Sequence, residues 1–154
     1  MNTIPYMRAV LKETMRLAPV VNGNLRATGK DIVLQGYQIP KGTEVVMCSL
    51  GLQTEEANFP QSDEFIPERW LKDPVAAAGC PSAKTAHPFI YLPFGFGSRA
   101  CIGRRFAEME VEILLARLLR DQKVEWNYGK IKYANTLIIS PTGDLKFKFT
   151  ELDH

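Results

Sequence analysis

The sequence predicts a mainly α chain with a small β region. Three observations carry this reading. Two segments, near 5–18 and 103–121, place apolar residues at helical spacing. A block over 24–48 alternates short β-branched runs with tight turns, and the tail alternates apolar and charged residues. At 154 residues the chain makes one ordinary domain, or two only if both are small.

The first helix is read from Met7, Val10, Leu11 and Thr14, with Leu17 extending the stripe. Asn2 or Thr3 can cap it and Pro5 fits its first turn. Pro19 ends it, because the residue before a proline is pushed out of the α region. Next come two short extended pieces, Ile32 to Gln35 and Tyr37 to Ile39, separated by Gly36. Pro40-Lys41-Gly42 is a turn, and Thr43 to Met47 is rich in β-branched residues. A short helix is expected over 50–57.

Residues 59–100 have little periodicity and many prolines, so they should be functional, ligand-tied or disordered. We expect 72–86 to be a mobile surface loop and 59–70 and 88–100 to be held in place. The longest helix spans 103–121. Phe106, Met109, Ile113 and Ala116 form its stripe, Val111, Leu114, Leu115, Leu118 and Leu119 widen it, and Arg105, Glu108 and Glu112 form a charged face. In the tail, Leu145, Phe147 and Phe149 point one way and Lys146 and Lys148 the other, as in a half-buried strand.

Composition bounds the function. Hydrophobic residues at 45% and charged residues at 23% are ordinary for a soluble globular chain. Nineteen basic against seventeen acidic residues leave +2, which does not suggest a nucleic-acid binder but leaves room for a local basic patch. Three cysteines argue against a secreted disulfide scaffold. No apolar run approaches a membrane span, and Glu13 interrupts what would be a signal or transit segment. The expectation is a soluble domain of intracellular type.

The chemistry concentrates in Phe94-Gly95-Phe96-Gly97-Ser98-Arg99-Ala100-Cys101-Ile102-Gly103. Its glycines let the backbone turn tightly and approach a flat ligand. Cys101 sits just before a helix start, whose free N–H groups and dipole favour a thiolate. Arg99 adds a fixed positive charge two residues earlier. A thiolate and a guanidinium on a glycine-lined loop suit a metal macrocycle that bears carboxylates.

This segment resembles the haem-binding signature Phe-x-x-Gly-x-Arg-x-Cys-x-Gly of the cytochromes P-450 at every defined position: Phe94, Gly97, Arg99, Cys101 and Gly103. The resemblance implies haem b with Cys101 as its axial thiolate, Arg99 on a propionate, and Phe94 beside the thiolate. Glu13-Thr14-Met15-Arg16 fits the family's Glu-x-x-Arg helix, and Pro67-Glu68-Arg69-Trp70 its Pro-Glu-Arg-aromatic element. Glu13, Arg16 and Arg69 would then form one buried network. Arg26 stands where the family often places a second propionate-binding residue.

The paired Arg104 and Arg105, with Arg8 and Lys12 on one face of the first helix, look like the mitochondrial class. That class takes electrons from a small acidic ferredoxin, and these four residues match its docking positions. The stretch over 9–41 is similar to arthropod members. The resemblance thus implies a monooxygenase that inserts one atom of dioxygen into a small lipophilic substrate, at the matrix side of the mitochondrial inner membrane. It also implies that 1–154 is the C-terminal part of a single domain. The oxygen-activating helix, most of the substrate pocket and any membrane segment would precede Met1, and the chain alone would not catalyse.

Rival readings stand beside these. Gly95-x-Gly97-x-x-Ala100 fits a loose dinucleotide fingerprint, but its strand would lie between Pro88 and Pro93 with no βαβ unit around it. A truncated, non-catalytic module that binds haem or ferredoxin is the other rival. A lone cysteine at a helix start is otherwise a small buried hydrophobe. Glu13 and Arg16 alone would be a solvated pair worth under about 1 kcal/mol. Arg104 and Arg105 could be the polar side of a helix. Cys48 reads as core and Cys80 as an incidental thiol. His87 and His154 lack metal-ligand spacing.

Overall fold

The computed structural model describes residues 5–73, 75, 77–136 and 138–152. Within them lie α1 (Pro5–Leu17), β1 (Gly23–Ala27), β2 (Ile32–Leu34), β3 (Tyr37–Ile39), β4 (Glu44–Cys48) and α2 (Ser49–Gln53). Then follow α3 (Arg104–Asp121), β5 (Gln122–Glu125), β6 (Tyr133–Asn135), β7 (Ile139–Pro141) and β8 (Lys148–Glu151). Short 3₁₀ turns punctuate the stretch between α2 and α3 at Pro67–Trp70, Ala83–Thr85 and Gly97–Arg99. Among the described residues three α-helices stand against four two-stranded antiparallel sheets, so helix outweighs strand less than expected.

β1 pairs β4 from Gly23↔Cys48 to Ala27↔Glu44, and the β2–β3 hairpin is nested between them. Gln35 and Gly36 both take positive φ, the pairing that a two-residue hairpin needs. β5 pairs β8 and β6 pairs β7. The Ile139 N–H donates to the Val20 carbonyl at 2.8 Å, tying the β6–β7 hairpin to the residues after α1.

Several expectations change. α1 starts and ends as expected, but its buried face is Ala9, Glu13 and Arg16 rather than the apolar stripe. Its expected caps, Asn2 and Thr3, lie outside the described residues. α2 is shorter than expected because side chains take its last carbonyls: Thr54 Oγ1 donates to Leu50 at 3.0 Å and Asn58 Nδ2 to Leu52 at 3.0 Å. Cys48 is exposed, not core.

The tail strand is Lys148–Glu151, because β5 offers only four residues to pair. Leu145 and Phe147 fall before it, and Phe147 packs its ring 5.2 Å from Trp126. β8 is exposed along its length. No residue of α3 is buried: Phe106, Met109, Ile113 and Leu114 all face outward. The half-buried side of α3 is instead Ala107, Glu108, Glu112, Leu115 and Leu118. Among the described residues, no helix is long and apolar enough to cross a membrane.

The core is unusual in composition. Among the described residues its buried apolar side chains are Ala9, Phe59 and the prolines Pro19 and Pro67, while its largest fully buried side chains include Arg16, Arg69, Gln53 and Glu13. The Phe59 ring lies under two guanidiniums, Arg16 at 5.4 Å and Arg69 at 6.0 Å.

Candidate functional site

The structure brings Glu13, Arg16 and Arg69 together. Arg16 grips Glu13 bidentately, at 2.9 and 3.0 Å, and Arg69 Nε reaches the same carboxylate at 3.0 Å. All three side chains are fully buried. The remaining donors of Arg16 go to the carbonyls of Gln53, Ser62 and Glu64 at 2.7–2.9 Å. Those of Arg69 go to the carbonyls of Pro60 and Gln61 at 3.0 and 3.2 Å. Segment 59–70 is thereby fixed to α1. Burial alone would raise the Glu13 pKa, but Arg16, the Ile66 N–H and the Trp70 indole outweigh it and hold the carboxyl below its ordinary value.

Trp70 shows how sequence reading undervalued a residue. The sequence marks it only as the aromatic after Arg69, yet its Nε1 donates to Glu13 at 2.8 Å. Its ring contacts Phe59 at 6.0 Å and Tyr91 at 4.6 Å, and Lys12 Nζ lies 5.6 Å from its centre. Gln53 and Tyr91 went unnoticed, because nothing in the periodicity marks either one.

The cysteine loop turns where its glycines allow. Gly95 and Gly97 have φ of 70° and 64°. A Cβ on Gly95 would lie 2.9 Å from Asn24 Oδ1 on β1, so a side chain there would displace the Asn24 amide. The Cys101 N–H donates to the Phe94 carbonyl at 2.8 Å, closing the loop on itself. Cys101 is exposed and lies three residues before α3. Gly103 precedes α3, and a Cβ there would make ordinary contact with the Cys101 sulfur at 3.9 Å. The Phe94 ring lies 5.5 Å from the Arg104 guanidinium. No strand precedes the loop over 89–92, which removes the dinucleotide reading.

Arg99 is exposed on the loop, and Arg26 is exposed on β1, where its Nη1 donates to the Leu25 carbonyl at 2.7 Å. Arg26 shares an open apolar groove of about 490 Å³ with Ile32, Val45, Met47 and Phe96 of the loop. Arg8, Lys12 and Arg104 line a second groove of about 240 Å³ with Glu108 and Glu112. Most of this charge is already paired: Arg8 meets Glu112 at 2.9 Å and Arg104 meets Glu108 at 3.0 Å. Burial pulls the Lys12 ammonium below its ordinary pKa, opposed by Glu108 and reinforced by Arg104. Arg105 is exposed on the next position of α3. His87 is occupied locally, accepting at Nδ1 from the Phe89 N–H at 3.3 Å. His154 lies outside the described residues.

A family model described as cytochrome P450 matches residues 1–149. The chain belongs to the cytochrome P450 family. It is 53% identical over 148 residues to a probable mitochondrial cytochrome P450 12b2 of Drosophila melanogaster, and 49% identical over 156 residues to cytochrome P450 CYP12A2 of Musca domestica. The alignments cover 94% and 98% of this P450 chain, but 28% and 29% of those relatives. Among solved structures, it resembles a cyanobacterial CYP120A1 with bound retinoic acid (TM-score 0.79, 30% identity) and a cytochrome P450 CYP102L1 (TM-score 0.81, 33% identity). Each likeness covers 96% of this chain and about a third of the other, at 33% and 32%.

The residues present fit the family's haem. An iron porphyrin needs one open axial donor, an approach free of side chains and cations for its carboxylates. Cys101 offers an exposed sulfur, Gly95 and Gly97 shape the turn leading to it, and Arg99 and Arg26 are exposed cations.

Proposed function

We propose that these residues form the haem-thiolate side of a monooxygenase that inserts one atom of dioxygen into a small lipophilic substrate and reduces the other to water. The exposed Cys101 sulfur, on a loop closed by the Phe94 carbonyl, carries the reading. Haem b, when bound, supplies the one-electron and dioxygen chemistry.

The chain's own residues hold it. Cys101 would supply the thiolate that holds the iron, and the bond from its N–H to the Phe94 carbonyl fixes the backbone that carries the sulfur. Arg99 and Arg26 would pair with the haem carboxylates. Phe94, Gly95, Gly97 and Gly103 shape the loop around the sulfur. The Glu13, Arg16 and Arg69 cluster holds the framework behind it. The apolar groove beside Arg26 supports a lipophilic ligand.

Electrons arrive from an acidic ferredoxin at Arg8, Lys12, Arg104 and Arg105, where complementary charge speeds encounter. Relatives whose names include "mitochondrial" support a mitochondrial location; the matrix side of the inner membrane is the place that suits a ferredoxin donor. Membrane contact would be made by segments other than these. The domain is mainly α overall, α3 is its proximal helix, and 1–154 is its C-terminal part.

The test is single turnover of the complete haem-loaded domain that carries these residues, with a [2Fe–2S] ferredoxin, its reductase and ¹⁸O₂; the chain 1–154 by itself is expected to give no labelled product. One labelled oxygen in the product supports the reading. A complete domain that binds haem and ferredoxin yet incorporates no label is instead a binding module.

A further inference from the structure

Two polar side chains outside every motif connect the buried cluster to the cysteine loop. Gln53 closes α2 and is fully buried. Its carbonyl accepts from Arg16 Nη1 at 2.9 Å, and its Nε2 donates to the Ile90 carbonyl at 3.2 Å. Tyr91 is the next residue in the chain. Its hydroxyl donates to the Lys12 carbonyl at 3.1 Å, and its ring lies 4.6 Å from Trp70, which donates to Glu13. Arg16 thus reaches Ile90 through Gln53, and Glu13 reaches Tyr91 through Trp70. Both routes end on adjacent residues, at the root of the loop that runs through Phe94 to Cys101.

Close packing does not seat this loop on its α1 side. Between it and α1 lies a cavity of about 90 Å³, lined by Lys12, Met15, Tyr91, Phe94, Arg104 and Glu108. A gap of that size forfeits the dispersion contacts that would fix the backbone, so point attachments set its position.

Gln53 carries a second sign. Its Oε1 is buried with no hydrogen-bond partner among the described residues. An orphaned buried oxygen destabilises the fold, and an apolar side chain of the same size would avoid that loss. What the amide does make is the bond from its Nε2 to the Ile90 carbonyl.

We propose that Gln53 and Tyr91 are positioning residues that hold the root of the Cys101 loop against the Glu13–Arg16–Arg69 cluster. The inference rests on the haem-thiolate reading for its consequence, but not for its geometry. Without the two ties, the loop opens more often and Cys101 is aimed less well.

The test uses two conservative variants of the full chain. Gln53→Met keeps volume and removes the orphaned oxygen together with the donor. Tyr91→Phe keeps the ring on Trp70 and removes only the hydroxyl. The first readout is amide hydrogen exchange, which needs no haem. The Gly95 and Cys101 amides should exchange about tenfold faster in each variant, while the Ile66 amide on Glu13 keeps its wild-type rate. The second readout is the spectrum of the reduced, carbon-monoxide-bound protein. A larger share of each variant should lose the strongly red-shifted Soret band.

Unchanged exchange at Gly95 and Cys101 overturns the proposal. So does an equal rise at Ile66, which would mark a merely structural role. A wild type without the red-shifted band shows that this chain does not hold haem by itself and leaves the family assignment standing, and the exchange data still decide the positioning claim.

Discussion

Glu13 and Arg69 stand 56 residues apart in the chain and meet at 3.0 Å with both side chains fully buried. Charges are tolerated at such depth only when nearly every donor and acceptor is used. That condition is met. The Glu13 oxygens accept from Arg16, Arg69, the Ile66 N–H and the Trp70 indole. Arg16 donates through Nε, Nη1 and Nη2 to Glu13 and three carbonyls. The cluster does the work that an apolar core does elsewhere: it joins α1 to the 59–70 segment.

Removing one partner should therefore be severe. Arg69→Ala leaves a buried carboxylate short of a cation and the carbonyls of Pro60 and Gln61 unpaired, a loss of about 3–5 kcal/mol. Arg69→Lys should recover little, because an ammonium cannot reproduce the planar fork that serves three acceptors. Denaturant melts of the two variants check this. A lysine variant as stable as wild type would contradict it.

Acid should act through the same carboxylate. The folded protein holds Glu13 below its ordinary pKa of 4.5. The unfolded chain thus binds the proton more readily. The site's contribution is complete above that ordinary value and disappears as pH falls through the depressed folded value. Denaturation of wild type and Glu13→Gln between about pH 3 and 6 should show a steeper acid loss in wild type. Parallel profiles would contradict the assignment.

Gly95 is constrained twice, by a φ of 70° and by Asn24 Oδ1 at 2.9 Å from where a Cβ would stand. Gly95→Ala should cost about 1–2 kcal/mol from the backbone alone. Adding Asn24→Ala relieves the contact and leaves the backbone penalty, so recovery should be partial. Thermal melts of the single and double variants measure both parts. Full recovery would place the whole penalty in the Asn24 contact.

The basic residues of the α1–α3 groove should differ in behaviour. Arg8 and Arg104 are paired with Glu112 and Glu108, so their field is partly neutralised within the chain. Arg105 is exposed and no hydrogen bond or ion pair engages it among the described residues. If an acidic ferredoxin docks here as proposed, Arg105→Glu should weaken its binding more than Arg8→Ala, mostly through association rate, and flatten its salt dependence. It should leave the melting temperature within about 0.5 kcal/mol equivalent of wild type. Equal losses from the two variants would contradict this ranking.

What the sequence made legible was local. Pro5 and Pro19 bracket α1, and Gly36 and the Pro40–Gly42 turn separate β2, β3 and β4 where expected. The order Glu13, Arg16, Arg69 pointed to partners that the fold does bring together. The loop glycines also announced themselves, because positive φ demands them. What stayed hidden was long-range. Helical periodicity marked an apolar stripe on α3, but the face that meets α1 carries Glu108 and Glu112 while Phe106 stays 65% exposed. Periodicity cannot say which face meets a partner, or whether one is there to meet. Gln53, Trp70 and Tyr91 act through contacts set by tertiary structure, with no spacing to betray them.

The central claim is that Cys101 is the thiolate ligand of a haem iron. The most direct measurement is the carbon monoxide difference spectrum of the reduced, haem-loaded protein, with Cys101→Ser beside it. A strongly red-shifted Soret band in wild type that vanishes in the serine variant is the predicted result. A band that survives the substitution would place the ligand on another residue and contradict the account.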